Sequence, residues 1–177
     1  SPICRARAEG LGFAGMREVL GERGLIVADL DPLLNWMPGD DYRGELLASE
    51  DEWYEIAAEL GARSLNLAQI SRPVVDIDEA AEALGGVCDR ARSAGLLVTL
   101  EYLPWAGIPD AATALGIVER CARDNATLMI DTWHTFRGPT TDAQLQALPA
   151  ARIGSVQIND APASSSSDLL TETLTGR

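Results

Sequence analysis

The sequence predicts an incomplete parallel (β/α) barrel, and three observations predict it. A helical stretch, then Gly-Leu or Gly-Ala, then a short apolar run and a polar residue recurs along the chain. The apolar runs are continuous rather than alternating, as strands are when both faces of a parallel sheet are covered. No GxGxxG follows the first of them, which separates the pattern from a dinucleotide-binding sheet.

The repeats read MREVLGERGLIVADLDP, WYEIAAELGARSLNLAQ, AEALGGVCDRARSAGLLVTLEY, ATALGIVERCARDNATLMIDT and TDAQLQALPAARIGSVQIND. In the helical parts apolar residues fall three and four apart, as Ile56 with Leu60 and Val87 with Ala91. Gly24, Gly61 and Gly95 stand where a helix C-cap is wanted just before the strand in the first three repeats. Strand ends fall near Asp31, Asn66, Glu101, Asp131 and Gln157, at steps of 35, 35, 30 and 26 positions. Each step suits a βα unit of about 30 residues. GFAGM at 12–16 reads as the stub of a further strand, and TETLTGR as the start of another helix. A closed eightfold barrel usually takes about 250 residues. The 177 residues are therefore expected to form one partial domain over 1–177, about six of eight βα units. The first and last strands are then missing, and these are neighbours around the ring. The serine run Ser164–Ser167 reads as a solvated loop.

Composition narrows the function classes. Fourteen basic against 27 acidic residues give a net charge of −13, which repels phosphate backbones and anionic lipid, so neither nucleic acid nor a membrane surface is an expected partner. No apolar run approaches the roughly 20 residues of a membrane span, and SPICRARAEG carries no signal-peptide core. Cys4, Cys88 and Cys121 are odd in number and widely spaced, which reads as reduced thiols in a cytoplasmic protein. All basic residues are Arg. Without lysine there is no Schiff-base chemistry and no Walker-type ATP site. A single histidine excludes His-rich zinc sites.

The carboxyl ends of the strands form the working face of such a barrel. LLVTL runs into Glu101, ATLMI into Asp131 and IGSV into Gln157. A charge at the inner end of an apolar strand is costly to bury and contributes nothing to packing. Neighbouring strands lie about 4.8 Å apart, so the three side chains converge and two bare carboxylates would repel. A divalent cation held by Glu101, Asp131 and Gln157 removes that repulsion, and oxygen ligands suit Mg²⁺ or Mn²⁺, with Co²⁺ or Zn²⁺ also admitted. On pattern alone, loop capping or pairing with Arg explains these residues equally well.

LEYLPW, MIDTWHTFRG and VQINDAP resemble three signature segments of the xylose-isomerase-like TIM-barrel superfamily of sugar phosphate isomerases and epimerases. Tagatose epimerases, hydroxypyruvate isomerases, inosose dehydratases, 3-dehydroshikimate dehydratases and endonuclease IV-type enzymes are among its members. The resemblance spans roughly residues 12–177, and its sharpest element is the Asp-x-x-His of Asp131 and His134. It implies a (β/α)8 TIM-barrel fold, the three metal ligands named above, and placement of Glu101, Asp131 and Gln157 on the fifth, sixth and seventh strands. Gln157 is similar to the hydroxypyruvate isomerase and dehydroshikimate dehydratase branches; epimerases usually place His there. The resemblance also implies a fourth ligand, a Glu on the eighth strand after Pro-Gly-x-Gly, which lies outside this sequence. Unpaired edges on both sides of the partial sheet follow, open to a partner or a homo-oligomer.

By the same resemblance His134 contacts substrate oxygen and shuttles protons; the alternative is a histidine bonded to loop backbone. Arg137 is a candidate clamp for carboxylate or phosphate, or else a surface salt bridge. Asp160 either binds substrate hydroxyls or caps the next helix. Trp36 and Trp105 follow strand ends, where they form an aromatic wall or simply pack loops, and Trp133 is expected to pack outward. The implied activity is metal-assisted proton abstraction next to a carbonyl through an enediolate, with Glu101 and His134 as the catalytic pair. The substrate is a sugar, a sugar phosphate or a small hydroxy-keto acid. A dehydratase of the inosose or 3-dehydroshikimate type, and a catalytically incomplete chain that binds metal or ligand without turnover, are the competing readings. A nuclease fits poorly with one histidine and a charge of −13.

Overall fold

The apolar runs form five strands: β1 Asp29–Leu33, β2 Ser64–Ala68, β3 Leu97–Glu101, β4 Ala126–Asp131 and β5 Ile153–Gln157. They pair in chain order, all parallel. The computed structural model describes residues 2–43 and 48–175. Helices α1 Pro2–Ala8 and α2 Phe13–Glu22 precede the sheet. Between strands run α3 Glu50–Leu60, α4 Ile77–Ser93, α5 Ala111–Cys121, α6 Thr132–Arg137 and α7 Asp142–Ala147. Helix α8, Leu169–Thr175, follows β5. Gly61 (φ 68°) and Gly95 (φ 71°) take the left-handed conformation that turns the chain from helix to strand. Among the described residues no helix is long and apolar enough to cross a membrane.

One element departs from expectation. Residues 12–16 open α2 rather than form a strand stub, so the described chain contributes five strands and not six. Phe13, Met16 and Leu20 recur at helical spacing, and Met16 is buried. Glu101, Asp131 and Gln157 do end their strands, whereas β1 and β2 run two residues past Asp31 and Asn66. Pro32 lacks the amide donor of a central strand, and β1 is an edge.

Alternation along the strands divides the sheet into two chemistries. Leu65, Leu67, Val98, Leu100, Ala126 and Leu128 face outward, fully buried in one core with Ile56, Leu84, Val87, Ile117 and Val118 of α3, α4 and α5. The opposite face is polar: Asn66, Thr99 and Thr127 stand in register across three strands. The sheet is curled about this face. Ser155 Oγ on β5 donates to Asp29 Oδ2 on β1 at 2.7 Å, and Gln157 Nε2 reaches Asp31 Oδ2 at 3.3 Å. In a flat sheet four steps of about 4.8 Å would hold those strands about 19 Å apart. Only barrel-like curvature closes that distance. At the floor, a Cβ on Gly154 would collide with the Thr127 side chain and lie 2.9 Å from Thr99 Cγ2, so β5 comes this close only as glycine.

Leu84 lies in the α4 face of the outer core at 0% exposure. Leu84→Ala is expected to lower stability by about 3 kcal/mol, read as a lower urea midpoint at unchanged slope. Val74→Ala, at an 81% exposed loop position, is expected to change it by less than about 0.5 kcal/mol.

Candidate metal centre

Glu101 ends β3 on the polar face, and Asp131 ends β4. Asp131 is also the N-cap of α6: its Oδ1 accepts from the backbone amides of Trp133 at 2.7 Å and His134 at 3.1 Å. That cap ties His134 to the first helical turn above the strand end. The imidazole Nε2 lies 3.3 Å from Glu101 Oε1. One ligand atom from each of Glu101, Asp131 and His134 falls within 4.8 Å of the others. The three residues are only 6%, 1% and 4% exposed. His134 Nδ1 is buried with no hydrogen-bond partner among the described residues.

Amides orient the carboxylates. Asn66 Nδ2 donates to Glu101 Oε2 and to Asp31 Oδ1, each at 2.8 Å, while Asn66 Oδ1 accepts from Thr99 Oγ1 at 2.9 Å. Asn159 Nδ2 donates to Asp131 Oδ2 at 2.6 Å, and its own backbone is pinned by Thr132 Oγ1. Gln157 is the register partner of Asp131 on β5, half-buried, with its amide nitrogen turned to Asp31. Tyr102, beside Glu101, pairs with Thr135, and burial holds its phenol above the ordinary value, against the hydrogen bonds to Thr135 and Thr140. It therefore stays a neutral hydroxyl at working pH.

The other residues singled out in the sequence lie as follows. Arg137 is not presented as a clamp: its Nε bonds Glu172 Oε1 at 2.7 Å, both side chains are 4% exposed, and Nη2 donates to Pro162 O at 2.6 Å. Trp36 is 6% exposed in the core, its Nε1 donating to Ala68 O, so it joins the loop after β1 to the end of β2. Trp105 is the half-buried aromatic of the site, edge-on to His134 at 5.4 Å and to Trp133 at 6.3 Å. Trp133 packs inward at 0% exposure, correcting the outward expectation. Asp160 is exposed and, among the described residues, accepts from the next amide, Ala161; Asp168 does the capping at α8. Asn66, Asp31 and Asn159 are the site neighbours the sequence reading left without a role. For Asp31 and Asn66 the sequence signal is inward parity of polar residues on adjacent strands; Asn159 lies in the loop after β5.

The donor set fits a divalent cation. Two buried carboxylates this close repel in a water-poor pocket, and a cation between them and an imidazole answers that repulsion. With nitrogen beside oxygen the set admits Mn²⁺, Co²⁺ or Zn²⁺ more readily than Mg²⁺.

The xylose isomerase-like TIM-barrel family model matches residues 5–175. Comparison with curated protein sequences gives no match. Among solved structures, the IolI protein with a bound zinc atom superposes with a TM-score of 0.78 at 17% identity, over 90% of this chain and 60% of its own. A xylose isomerase domain protein from Alicyclobacillus acidocaldarius gives 0.64 at 24% identity, over 92% and 64%. D-psicose 3-epimerase, solved in the presence of D-fructose, gives 0.64 at 17% identity, over 87% and 61%. These likenesses concern the fold, and the chain spans 60 to 64% of those relatives' length.

The Arg137–Glu172 pair straps α8 and the loop after β5 onto α6. Arg137→Ala and Glu172→Ala are each expected to lower the urea midpoint, and the double variant by less than their sum, because either single change strands the other charge. The amide of Ser166, and after it Arg137, hold the Glu172 carboxyl below its usual value against the opposing effect of burial. A depressed folded value means a contribution present above the unfolded value and lost as pH falls through the folded one. Acid titration of the unmutated and Glu172→Gln chains checks this: the gap in stability should close below the ordinary carboxylate range.

Proposed function

The chain belongs to the xylose isomerase-like TIM-barrel family, and on that footing we propose that it is a divalent-cation-dependent sugar isomerase or epimerase. The observation that carries this reading is the buried group of Glu101, Asp131 and His134, with ligand atoms within 4.8 Å of one another at the carboxyl ends of β3 and β4. The zinc in the IolI structure and the sugar present with D-psicose 3-epimerase support it. The three free thiols support a reducing, cytoplasmic setting.

Glu101, Asp131 and His134 would hold the ion, with Gln157 as a fourth donor from the next strand. Once bound, such an ion polarises a carbonyl or hydroxyl oxygen and offsets negative charge that develops next to it. The protein's own groups do the rest. Asn66 fixes Glu101 Oε2, which leaves Oε1 on the side of His134. Glu101 Oε1 would take a proton from the carbon next to a carbonyl and return it to the neighbouring carbon, with the imidazole Nε2, 3.3 Å away, positioning that oxygen. Trp105 and Trp133 pack edge-on around that imidazole at 5.4 and 5.2 Å and keep water from it. Asn159 and the two capping amides hold Asp131 still.

Titration with Mn²⁺ tests the reading. At a hundredfold excess over Kd, binding to the folded state alone adds about 2.7 kcal/mol, which raises Tm by roughly 5–10 °C for a chain of this size. Glu101→Gln and Asp131→Asn are expected to remove that shift while leaving the metal-free Tm within about 3 °C. If none of Mn²⁺, Co²⁺ or Zn²⁺ shifts the unmutated chain, the reading fails. A metal shift without isomerisation or epimerisation of any sugar favours the binding-only alternative.

A further inference from the structure

Away from the cation cluster, the outer core buries a pair of thiols that the chemistry above does not use. Cys88 lies on α4 and Cys121 ends α5, at 0% and 5% exposure. The loop after α5 pins both. Arg123 Nη1 donates to Cys121 O at 2.9 Å, and Asn125 Nδ2 donates to Cys88 O at 2.9 Å. Arg123 also grips Asp89, the neighbour of Cys88, through two bonds of 2.7 and 2.8 Å. The end of α5 lies over Gly85, about one turn before Cys88: a Cβ built on that glycine would stand 3.9 Å from Cys121 O. The two thiols meet across this contact, and each is the strongest influence on the other.

The two cysteines are not equivalent. A cleft of about 360 Å³ between α4 and α5 reaches Cys121, with Arg120 and Arg123 on its walls; Cys88 is not part of its lining. The hydrogen bond with the Cys88 thiol, and behind it the Arg123 amide and the charges of Arg123 and Arg152, bring the Cys121 thiol down to about 7 against the opposing effect of burial. The same hydrogen bond, together with burial, pushes the Cys88 thiol up. The thiolate is the nucleophile, and susceptibility to oxidants follows thiolate character and access. Cys121 has both, and Cys88 waits beside it as a protonated thiol.

We propose that Cys121 and Cys88 form an oxidation site for hydroperoxides, with Cys121 as the nucleophile reached through the cleft and Cys88 as the resolving thiol. The Cys121 thiolate attacks one peroxide oxygen. The O–O bond breaks, the leaving oxygen takes a proton and departs as water or an alcohol, and Cys121 becomes a sulfenic acid. Cys88 then gives up its proton and attacks that sulfur; the S–O bond breaks, water leaves and a Cys88–Cys121 disulfide remains. The two thiols lose two electrons and the peroxide gains them. The bond ties α4, which precedes β3, to α5, which precedes β4, and an added dithiol reverses it by exchange. The proposal stands apart from the cation reading.

The test treats the whole reduced chain with one equivalent of hydrogen peroxide, counts free thiols in denaturant and maps peptides without reduction. Free thiols are expected to fall from three to one, with Cys88 joined to Cys121 and Cys4 intact, and to return to three with dithiothreitol. A chain that keeps its three thiols, or loses them without a Cys88–Cys121 link, overturns the proposal. Neither result needs a variant, so the test decides even if a variant does not fold. In Cys88→Ala, dimedone is expected to trap a sulfenic acid on Cys121. In Cys121→Ala, loss of Cys88 thiol to peroxide is expected to be at least about tenfold slower than in the unmutated chain. No adduct on Cys121 in the first variant, or undiminished oxidation of Cys88 in the second, overturns the assignment of roles.

Discussion

Two carboxylates buried in one small pocket repel unless donors or positive charge surround them, and the arrangement around Glu101 and Asp131 answers that constraint residue by residue. Glu101 receives Asn66 on one oxygen and faces His134 with the other. Asp131 receives two backbone amides and Asn159. Neutral donors of this kind fix orientation and lower the burial penalty, but they cancel no charge. What they leave is an oriented, electronegative pocket with a buried imidazole nitrogen unpartnered among the described residues. The donor set of such a pocket suits a cation.

The pocket exists because the sheet curls. Asp29 with Ser155 and Asp31 with Gln157 join strands at opposite ends of a five-stranded arc. The glycine at 154 lets β5 settle over Thr99 and Thr127. Curvature also separates labour between the faces. The outer face is aliphatic and carries the stability, with Leu65, Leu67, Val98, Leu100 and Leu128 fully buried under three helices. The inner face buries polar groups that hydrogen-bond to one another, and these add little stability for their burial. Substitutions at inner positions therefore bear on ligand binding first, and outer ones on folding.

Much of this was legible in the sequence. Continuous apolar runs ending in a polar residue located all five strands, and Gly24, Gly61 and Gly95 marked the turns before the first three, because both signals are local. Residues 12–16 misled, since a five-residue apolar stretch with two glycines looks alike at the start of a helix and in a strand; only Leu20, farther along, sets the period. Arg137 could not be assigned because its partner, Glu172, lies 35 positions away on an element whose approach no spacing encodes. The amides of Asn66 and Asn159 went unread for a related reason. Each matters only through the carboxylate opposite it, and a carboxylate advertises itself in a strand end where an amide does not.

The Asp-x-x-His spacing shows why some site geometry is readable and some is not. An N-cap side chain bonds the amides two and three residues on, so Asp131 fixes the backbone of His134 by hydrogen bonds within one turn. Three residues of sequence thus determine where the imidazole stands relative to a strand end, whatever the rest of the barrel does. The height of Glu101 relative to that imidazole is set differently, by the β3–β4 register, in which Glu101 pairs with Met129 and not with Asp131. The stagger of two residues leaves the strand-end carboxylates at different levels, and the first turn of α6 brings His134 back over Glu101. The histidine is there because the strands are staggered. A ligand set built from strand ends alone takes Gln157, level with Asp131, whereas the stagger puts His134 beside Glu101.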